Sequence, residues 1–239
     1  ITCDYLNTSN CTSLDMLFYA CGSYLTSVNM TGWDTSKVTG LYYAFYRTNQ
    51  LTEIIGIEDI DTSSLVNAHG IFNITPKLTT LDLSKWDVSK VQTLSRAFSG
   101  CGATTINVST WNTCSVTTME YMFDGCGLTE LDVSRFDTSK VTNVANMFVN
   151  CRKLTSVDVS SWDTSQVTKA TALFEGCNAL QEINGIEDLD TSSMTAVNGM
   201  FSNCSSLTSL DLRKWKTSNV EDFGNMFDAC SSLTSLQLN

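Results

Sequence analysis

A repeated unit of 25 to 27 residues runs along almost the whole chain and decides what the chain can fold into. The unit is marked by nine recurring phenylalanines: Phe18, Phe45, Phe72, Phe98, Phe123, Phe148, Phe174, Phe201 and Phe227. A second marker, a large apolar residue, keeps the same steps at Trp33, Ile60, Trp86, Trp111, Phe136, Trp162, Leu189 and Trp215. Two markers with one period predict a single solenoid over residues 1–239, not separate globular domains.

Each repeat divides into two halves with different hydrophobic periods. In the first half apolar residues alternate, as at Leu81 and Leu83, which predicts a strand with one buried face. In the second half the apolar residues of one repeat are Val141, Val144, Met147, Phe148 and Cys151. Those offsets follow a period near 3.6, which predicts a short helix.

Repeats of strand followed by helix predict parallel strands, and helices need more width than strands. The fold class is therefore predicted as an α/β repeat, a leucine-rich-repeat horseshoe with a concave sheet of about nine strands and short convex helices. We expect residues 1–24 to form an irregular cap with a first helix, and residues 25–239 to form the repeats, the last without its helix. The extra Gly56 and Gly185 indicate either β-bulges or drift of the repeat.

Three motifs resemble the 26-residue leucine-rich repeats of bacterial surface proteins called BspA-like. They are Leu-Thr-Ser-Leu-Asp-Leu at 207–212, Asp-Thr-Ser-Lys-Val-Thr-Asn at 137–143, and Met-Phe-x-x-Cys at 122–126, 147–151, 200–204 and 226–230. The resemblance covers residues 14–239. It implies a non-enzymatic binding module, displayed extracellularly on a cell or virion surface, that attaches to host or other-cell protein or glycan. The alternative is a structural spacer or stalk in a larger surface or phage tail protein.

Composition narrows the classes of function. The formal net charge of -11 makes nucleic acid a poor partner. No run of 18 apolar residues occurs, so we expect no membrane insertion. Motifs for a nucleophile elbow, a phosphate loop or a zinc helix do not occur, and the chain has one His. We therefore predict no catalytic residues, no metal ligands and no cofactor.

Cysteines and aspartates recur as two further columns. Seven cysteines follow their Phe by three residues and are predicted to be small buried side chains rather than metal ligands or disulfides: Cys21, Cys101, Cys126, Cys151, Cys177, Cys204 and Cys230. Pairing of Cys3 with Cys11 stays open, and Cys114 is expected to be a partly exposed thiol. The second column holds Asp34, Asp61, Asp87, Asp137, Asp163 and Asp190. Its carboxylates are expected to organise turns, with a Ca²⁺ column as the alternative.

Two sets of residues are candidates for partner binding. The first set should lie on the concave sheet: Asp82, Asn107, Asp132, Asp158, Asn184 and Asp211. The second set, Tyr42, Tyr43 and Tyr46, should face outward on the convex side, as a contact surface or as part of a cap. His69 aligns with Tyr42 and is expected to be solvated. The expected partners are a protein or glycan on another cell or surface, and further domains of the same polypeptide. A third hypothesis is ice or mineral binding by Thr138, Thr164 and Thr191.

Overall fold

The computed structural model describes residues 6–238, which wind into stacked parallel coils, one coil for each repeat. Eight three-residue strands lie on one side: β1 Ser27–Asn29, β2 Glu53–Ile55, β3 Thr80–Asp82, β4 Thr105–Asn107, β5 Ser156–Asp158, β6 Glu182–Asn184, β7 Ser209–Asp211 and β8 Ser235–Gln237. They pair in parallel as β1–β2, β3–β4, β5–β6 and β7–β8. In each strand but β8 the middle residue is buried and the outer two are more exposed, because successive side chains alternate across a strand. We call the exposed side the strand face.

The predicted columns are present in the core. The nine phenylalanines form one continuous stack, with neighbouring ring centroids 5.3 Å apart at Phe18–Phe45 and 5.6 Å apart at Phe123–Phe148. Leu78, Leu81, Leu83 and Trp86 are all buried, as the strand pattern requires. Each stacked aromatic pair stabilises the fold by about 1 kcal/mol beyond its burial. The solenoid prediction is confirmed.

Besides the paired strands, a row of backbone bridges runs along the stack without a break, and we call this row the bridge seam. One residue per coil forms a parallel bridge with its equivalent in the next coil: Ser13, Gly40, Asn67, Thr93, Thr118, Asn143, Lys169, Ala196 and Asp222. Threonines next to this seam add side-chain bonds, as where Thr142 Oγ1 donates to the Thr117 carbonyl at 3.3 Å. The seam fixes the register of every coil against its neighbours.

The predicted helices of the second half are wrong, and so is the predicted first helix of the cap. In residues 6–238 the helical segments are two three-residue 3₁₀ turns, Ile57–Asp59 and Ile186–Asp188. The second half is instead a chain of overlapping β-turns, as where Met147 N–H donates to the Val144 carbonyl and Val149 N–H to the Asn146 carbonyl. The predicted horseshoe rested on the width of helices, and the outer turns do not supply that width.

Left-handed residues explain why no helix forms. The positions two before and two after each Phe have positive φ, such as Asn146 at 59° and Asn150 at 58°. A left-handed residue ends an α-helix, so two in each repeat leave no room for one. The buried residues Val141, Val144 and Met147 were nevertheless predicted correctly, because a chain of turns buries the same offsets.

The cap follows the repeat further than predicted. Within residues 6–24, Thr8 accepts a hydrogen bond from Asp34 N–H at 2.9 Å, as later threonines do from the coil above them. Ser13 joins the bridge seam, and Phe18 begins the ring stack. The repeat register therefore begins by Thr8.

Within residues 6–238 the sheet has one strand fewer than the predicted nine and is not continuous. Residues 130–133 occupy a strand position, but they form no strand and no bridge to β4 or β5. Leu131 is only partly buried there, whereas Ile106 and Val157 in the neighbouring strands are buried. We call this segment the sheet gap.

The extra glycines are not β-bulges. Gly56 and Gly185 lie directly after β2 and β6 with φ of 78° and 80°, and each starts one of the 3₁₀ turns. The sheet breaks between β2 and β3 and between β6 and β7 fall at these turns. A Cβ on Gly185 would lie 2.3 Å from the Cα of Ser160, so the backbones approach too closely for any side chain.

Buried threonines connect the coils and remove the basis of the ice-binding hypothesis. Thr138, Thr164 and Thr191 are buried, so they present no hydroxyls to a crystal surface. Their hydroxyls donate to carbonyls of the next coil; Thr138 Oγ1, for example, reaches the Asp163 carbonyl at 2.9 Å. A buried hydroxyl with a partner stabilises the stack by about 1 kcal/mol.

The glycine after β6 gives a test of the close coil contact. We expect Gly185→Ala to lower the free energy of unfolding by about 2–4 kcal/mol, since it adds backbone displacement to left-handed strain. The matched control is Gly32→Ala, which has the same φ of 80° but no atom within 4 Å of the new Cβ, and should cost about 1 kcal/mol. Urea denaturation measures both. Equal losses in the two variants would contradict the close contact.

Candidate partner-binding surfaces

The strand face brings the predicted polar row into register. Asp82 pairs with Asn107 across β3 and β4, and Asp158 pairs with Asn184 across β5 and β6. Asp211 pairs with Gln237 across β7 and β8. These residues share the third position of their strands, so their side chains point away from the core.

The sheet gap opens a groove in this row. The groove has a volume of about 570 Å³ and brings together Asn107, Asp132, Asp158 and Asn184 from the predicted set. A smaller groove of about 280 Å³ adjoins it through Asn184 and includes Asp211. Asp82 lines neither groove. We call the larger one the gap groove.

Hydrogen bonds hold the two groove aspartates in place. Oδ1 of Asp132 accepts from Ser134 N–H at 3.0 Å and from Ser134 Oγ at 2.6 Å. Oδ1 of Asp158 accepts in the same way from Ser160, at 2.9 and 2.6 Å. These bonds favour the charged form, so they lower the pKa of both carboxyls. In the described chain each Oδ2 accepts no protein hydrogen bond and is available to a partner.

Ion pairs flank the gap groove but do not enter it. Asp59 pairs with Lys85 at 2.5 Å and Asp188 with Lys214 at 2.5 Å, both from the 3₁₀ turns to the next coil. The groove itself is lined by the carboxylates of Glu130, Asp132 and Asp158 and by no Lys, Arg or His. Among residues 6–238, none of these three carboxylates has a cation within 4 Å. The hydrogen bonds from Ser134, and after them the charge of Arg135 outside the groove, lower the pKa of Asp132, and the three carboxylates together leave the groove with excess negative charge.

The tyrosines form a compact patch on the outer side, packed on one another. Tyr42 and Tyr43 have ring centroids 4.6 Å apart, Tyr43 and Tyr46 4.7 Å, and Tyr19 and Tyr46 4.8 Å. They stand on β-turns, not on the predicted helix. Tyr42, Tyr43 and Tyr46 are half-buried, so their rings still contact solvent. We call this group the tyrosine patch.

His69 belongs to the tyrosine patch, so the prediction that it is simply solvated is wrong. Its ring stacks on Tyr42 at 5.3 Å, and Nε2 lies 3.2 Å from the Tyr43 hydroxyl. Burial, together with the charge of Arg96, lowers the pKa of His69. Gly70 leaves room for the patch, because a Cβ there would lie 2.3 Å from the Tyr43 ring.

Sequence reasoning missed two features near these surfaces. Arg96 lies over the ring of Tyr121 at 4.1 Å and extends the aromatic surface beyond His69. The second feature is Trp162, whose Nε1 is buried without a hydrogen-bond partner. The repeat period predicts neither feature, because each depends on which side chains or carbonyls of two different coils lie next to each other.

The cysteine column is buried as predicted except at its ends, where Cys21 is exposed and Cys230 is only partly buried. Cys151, Cys177 and Cys204 are buried, and each thiol lies 3.0–3.1 Å from the Phe carbonyl of the preceding coil. Burial raises the pKa of Cys177 to about 12. Cys114 is a half-buried free thiol, also as predicted. The suggested pairing of Cys3 with Cys11 involves Cys3, which lies outside the described residues.

The aspartate column organises turns. Asp137 Oδ1 accepts from Ser139 N–H at 3.0 Å, and Asp163 Oδ1 accepts from Ser165 N–H at 3.0 Å. Over residues 6–238, no three His, Cys, Asp or Glu side chains converge as metal ligands would. The same span contains no helix with the length and apolar character needed to cross a membrane.

The fold and these surfaces define a solenoid of stacked parallel coils. The chain belongs to the family described as "Mycoplasma protein of unknown function, DUF285", whose model matches residues 2–103, 69–183 and 150–237. The resemblance to bacterial surface leucine-rich repeat proteins drawn from the sequence is confirmed. A comparison with curated proteins gave no match.

Several solved structures are similar in part. A leucine-rich cell surface protein from Faecalibacterium prausnitzii is 18% identical, with 94% of this chain and 82% of that chain covered and a TM-score of 0.31. A leucine-rich repeat protein from T. pallidum is 20% identical over 82% and 70% of the two chains, with a TM-score of 0.39. A third, from Eubacterium ventriosum, is 17% identical over 93% and 81%, with a TM-score of 0.37. No residue role is carried over from these proteins.

The single histidine gives a test of the tyrosine patch. Its pKa is lower in the folded chain than the ordinary value of about 6.5, so the unfolded chain takes up the proton first as the pH falls. We expect the free energy of unfolding to decrease by a few tenths of a kcal/mol from pH 7 to pH 5.5, reduced by the partial exposure of the ring. His69→Gln should flatten this slope in urea titrations. An unchanged slope would show that His69 is not the group responsible.

Thiol reactivity gives a test of the cysteine column. In the folded protein at pH 8 we expect iodoacetamide to modify Cys114 and Cys21 while Cys151, Cys177 and Cys204 stay unmodified, because burial blocks access and disfavours the thiolate. Mass spectrometry of peptides reads each site, and denatured protein, in which all should react, is the control. Modification of Cys177 as fast as Cys114 would contradict the buried column.

Proposed function

We propose that the chain is a non-enzymatic binding module displayed on a cell or virion surface, and that its strand face engages a protein partner. The observation that carries this proposal is the gap groove, where four of the six predicted side chains converge around an open interruption of the sheet. Polar groups that are positioned but not satisfied internally can form the direct hydrogen bonds that a protein interface contains. The solenoid of residues 1–239 would act as one unit.

Rigid positioning supports this function. Asp132 and Asp158 are each held by two hydrogen bonds from a neighbouring serine, so a partner does not have to order them on binding. The strand face also repeats from coil to coil, which gives an extended surface typical of solenoid binding proteins. Extracellular display follows from the resemblance of the repeats to bacterial surface proteins.

The tyrosine patch supports a second contact surface. Tyr42, Tyr43 and Tyr46 are half-exposed and preordered by mutual packing, and tyrosines are frequent contact residues in interfaces. A glycan is the alternative partner at this patch. A spacer or stalk would use neither surface, and this makes the two classes of function separable.

Binding assays with matched variants test the proposal. The probes are immobilised extracellular matrix and serum proteins and a glycan array, and the readout is surface plasmon resonance. We expect Asp132→Asn with Asp158→Asn to weaken protein binding about tenfold, a loss of about 1.4 kcal/mol. The control is Asp137→Asn with Asp163→Asn, which removes the same two charges from turns of the same coils outside the groove.

The outcomes divide the candidate functions. Loss only in the groove variant supports the strand face. Loss only in Tyr42→Ala with Tyr46→Ala moves the site to the tyrosine patch. Absence of binding to every probe favours a spacer and overturns the proposal.

A further inference from the structure

The gap groove is lined by negatively charged side chains, and this charge restricts the chemistry of a ligand that could bind there. Three carboxylates line it, from Glu130, Asp132 and Asp158, and no cation does. The acidic side chains on either side, Asp59, Asp188 and Asp211, all have ion-pair partners. In the part of the chain that the structure describes, Asp82, Glu53 and Glu182 on the same face also lack an ion pair, so the groove adds three closely spaced carboxylates to an acidic strand face on a chain of net charge -11.

Within the described residues the buried indole N–H of Trp162 has no hydrogen-bond partner, unlike three equivalent tryptophans. The indole N–H groups of Trp86, Trp111 and Trp215 donate to the carbonyls of Ile57, Leu83 and Ile186, each at the end of the strand segment in the preceding coil. The equivalent carbonyl for Trp162 is that of Val133, between the groove-lining Asp132 and Ser134. Trp162 is 6% exposed and its Nε1 has no partner. Trp162, in the coil that follows the sheet gap, therefore lacks the hydrogen bond to the preceding coil that Trp86, Trp111 and Trp215 make.

We infer that the gap groove binds an extended, Lys- or Arg-rich segment of a protein partner. This rests on the proposed function and names the chemistry of its ligand. The groove spans four strand positions, about 14 Å, which an extended segment of about five residues covers. Alternate side chains of such a segment lie about 7 Å apart on one side, so two cations reach carboxylates on successive coils. The Oδ2 atoms of Asp132 and Asp158 are free to accept them.

The groove side chains can be neutralised without breaking the turns that carry them. This chain already uses Asn in the same role, since Asn107 Oδ1 accepts from Ser109 Oγ at 2.8 Å and Asn112 Oδ1 accepts from Cys114 N–H. Asp132→Asn and Asp158→Asn should therefore fold normally. Circular dichroism and the urea midpoint check this before binding is measured.

The test uses fluorescein-labelled Ser-Lys-Ser-Lys-Ser-Lys-Ser in fluorescence anisotropy at low salt. Ser-Gln-Ser-Gln-Ser-Gln-Ser is the uncharged control. We expect the lysine peptide alone to bind, with Kd rising about tenfold in Asp132→Asn with Asp158→Asn and less than twofold in Asp137→Asn with Asp163→Asn. Both variants have the same net charge, so the comparison separates the groove from the general attraction of an acidic protein. Raising the salt from 50 to 300 mM should weaken binding.

Trp162 reports where the peptide binds. In a ¹⁵N-labelled sample, we expect the lysine peptide to shift the Trp162 indole N–H signal, assigned by its loss in Trp162→Phe, and to leave the Trp33 signal unmoved. Equal weakening in the two double variants, or absence of lysine peptide binding, would overturn the inference. If a matrix or serum protein still binds through Asp132 and Asp158 in that case, the proposed function stands and only the basic ligand is wrong.

Discussion

Backbone hydrogen bonds between neighbouring coils are the interaction on which the rest of this structure depends. In the outer half of a repeat every second N–H, such as those of Val144, Asn146 and Phe148, donates to a carbonyl of the next coil, and the N–H groups between them close β-turns. Buried N–H and C=O groups are costly when unpaired, so this alternation both satisfies the segment and locks its register. The stacked rings, the thiol column and the threonine hydroxyls all align because of it.

Much of the fold could be predicted from the repeat, and the error in it has a definite cause. A short helix and a chain of β-turns bury the same offsets, so the apolar residues around Phe148 could not distinguish them. The residues that distinguish them are the left-handed ones, among them Asn146, Asn150, Gly176 and Gly199. Asn and Gly recur at these positions because they tolerate positive φ, and that signal was available in the sequence.

The candidate site could also be predicted in part from the repeat. The polar row on the strand face follows from period and alternation, which placed Asp132 beside Asp158. The sheet gap did not follow, because Leu-Asp-Val-Ser at 131–134 is almost the same as Val-Asp-Val-Ser at 157–160. Spacing does not mark the gap either, because β4 lies in a 25-residue step between phenylalanines just as residues 130–133 do. His69 was misjudged because its contacts come from Tyr42 and Tyr43, one repeat earlier.

The two long sides of the solenoid differ in continuity, and this has a mechanical consequence. The bridge seam runs unbroken from Ser13 to Asp222, whereas the strands are joined only in pairs. A bending load applied to such a rod spreads the side that has fewer cross-links, with the seam serving as the pivot. Because the acidic groove lies on that less cross-linked side, bending would alter its width more than the spacing of the outer turns.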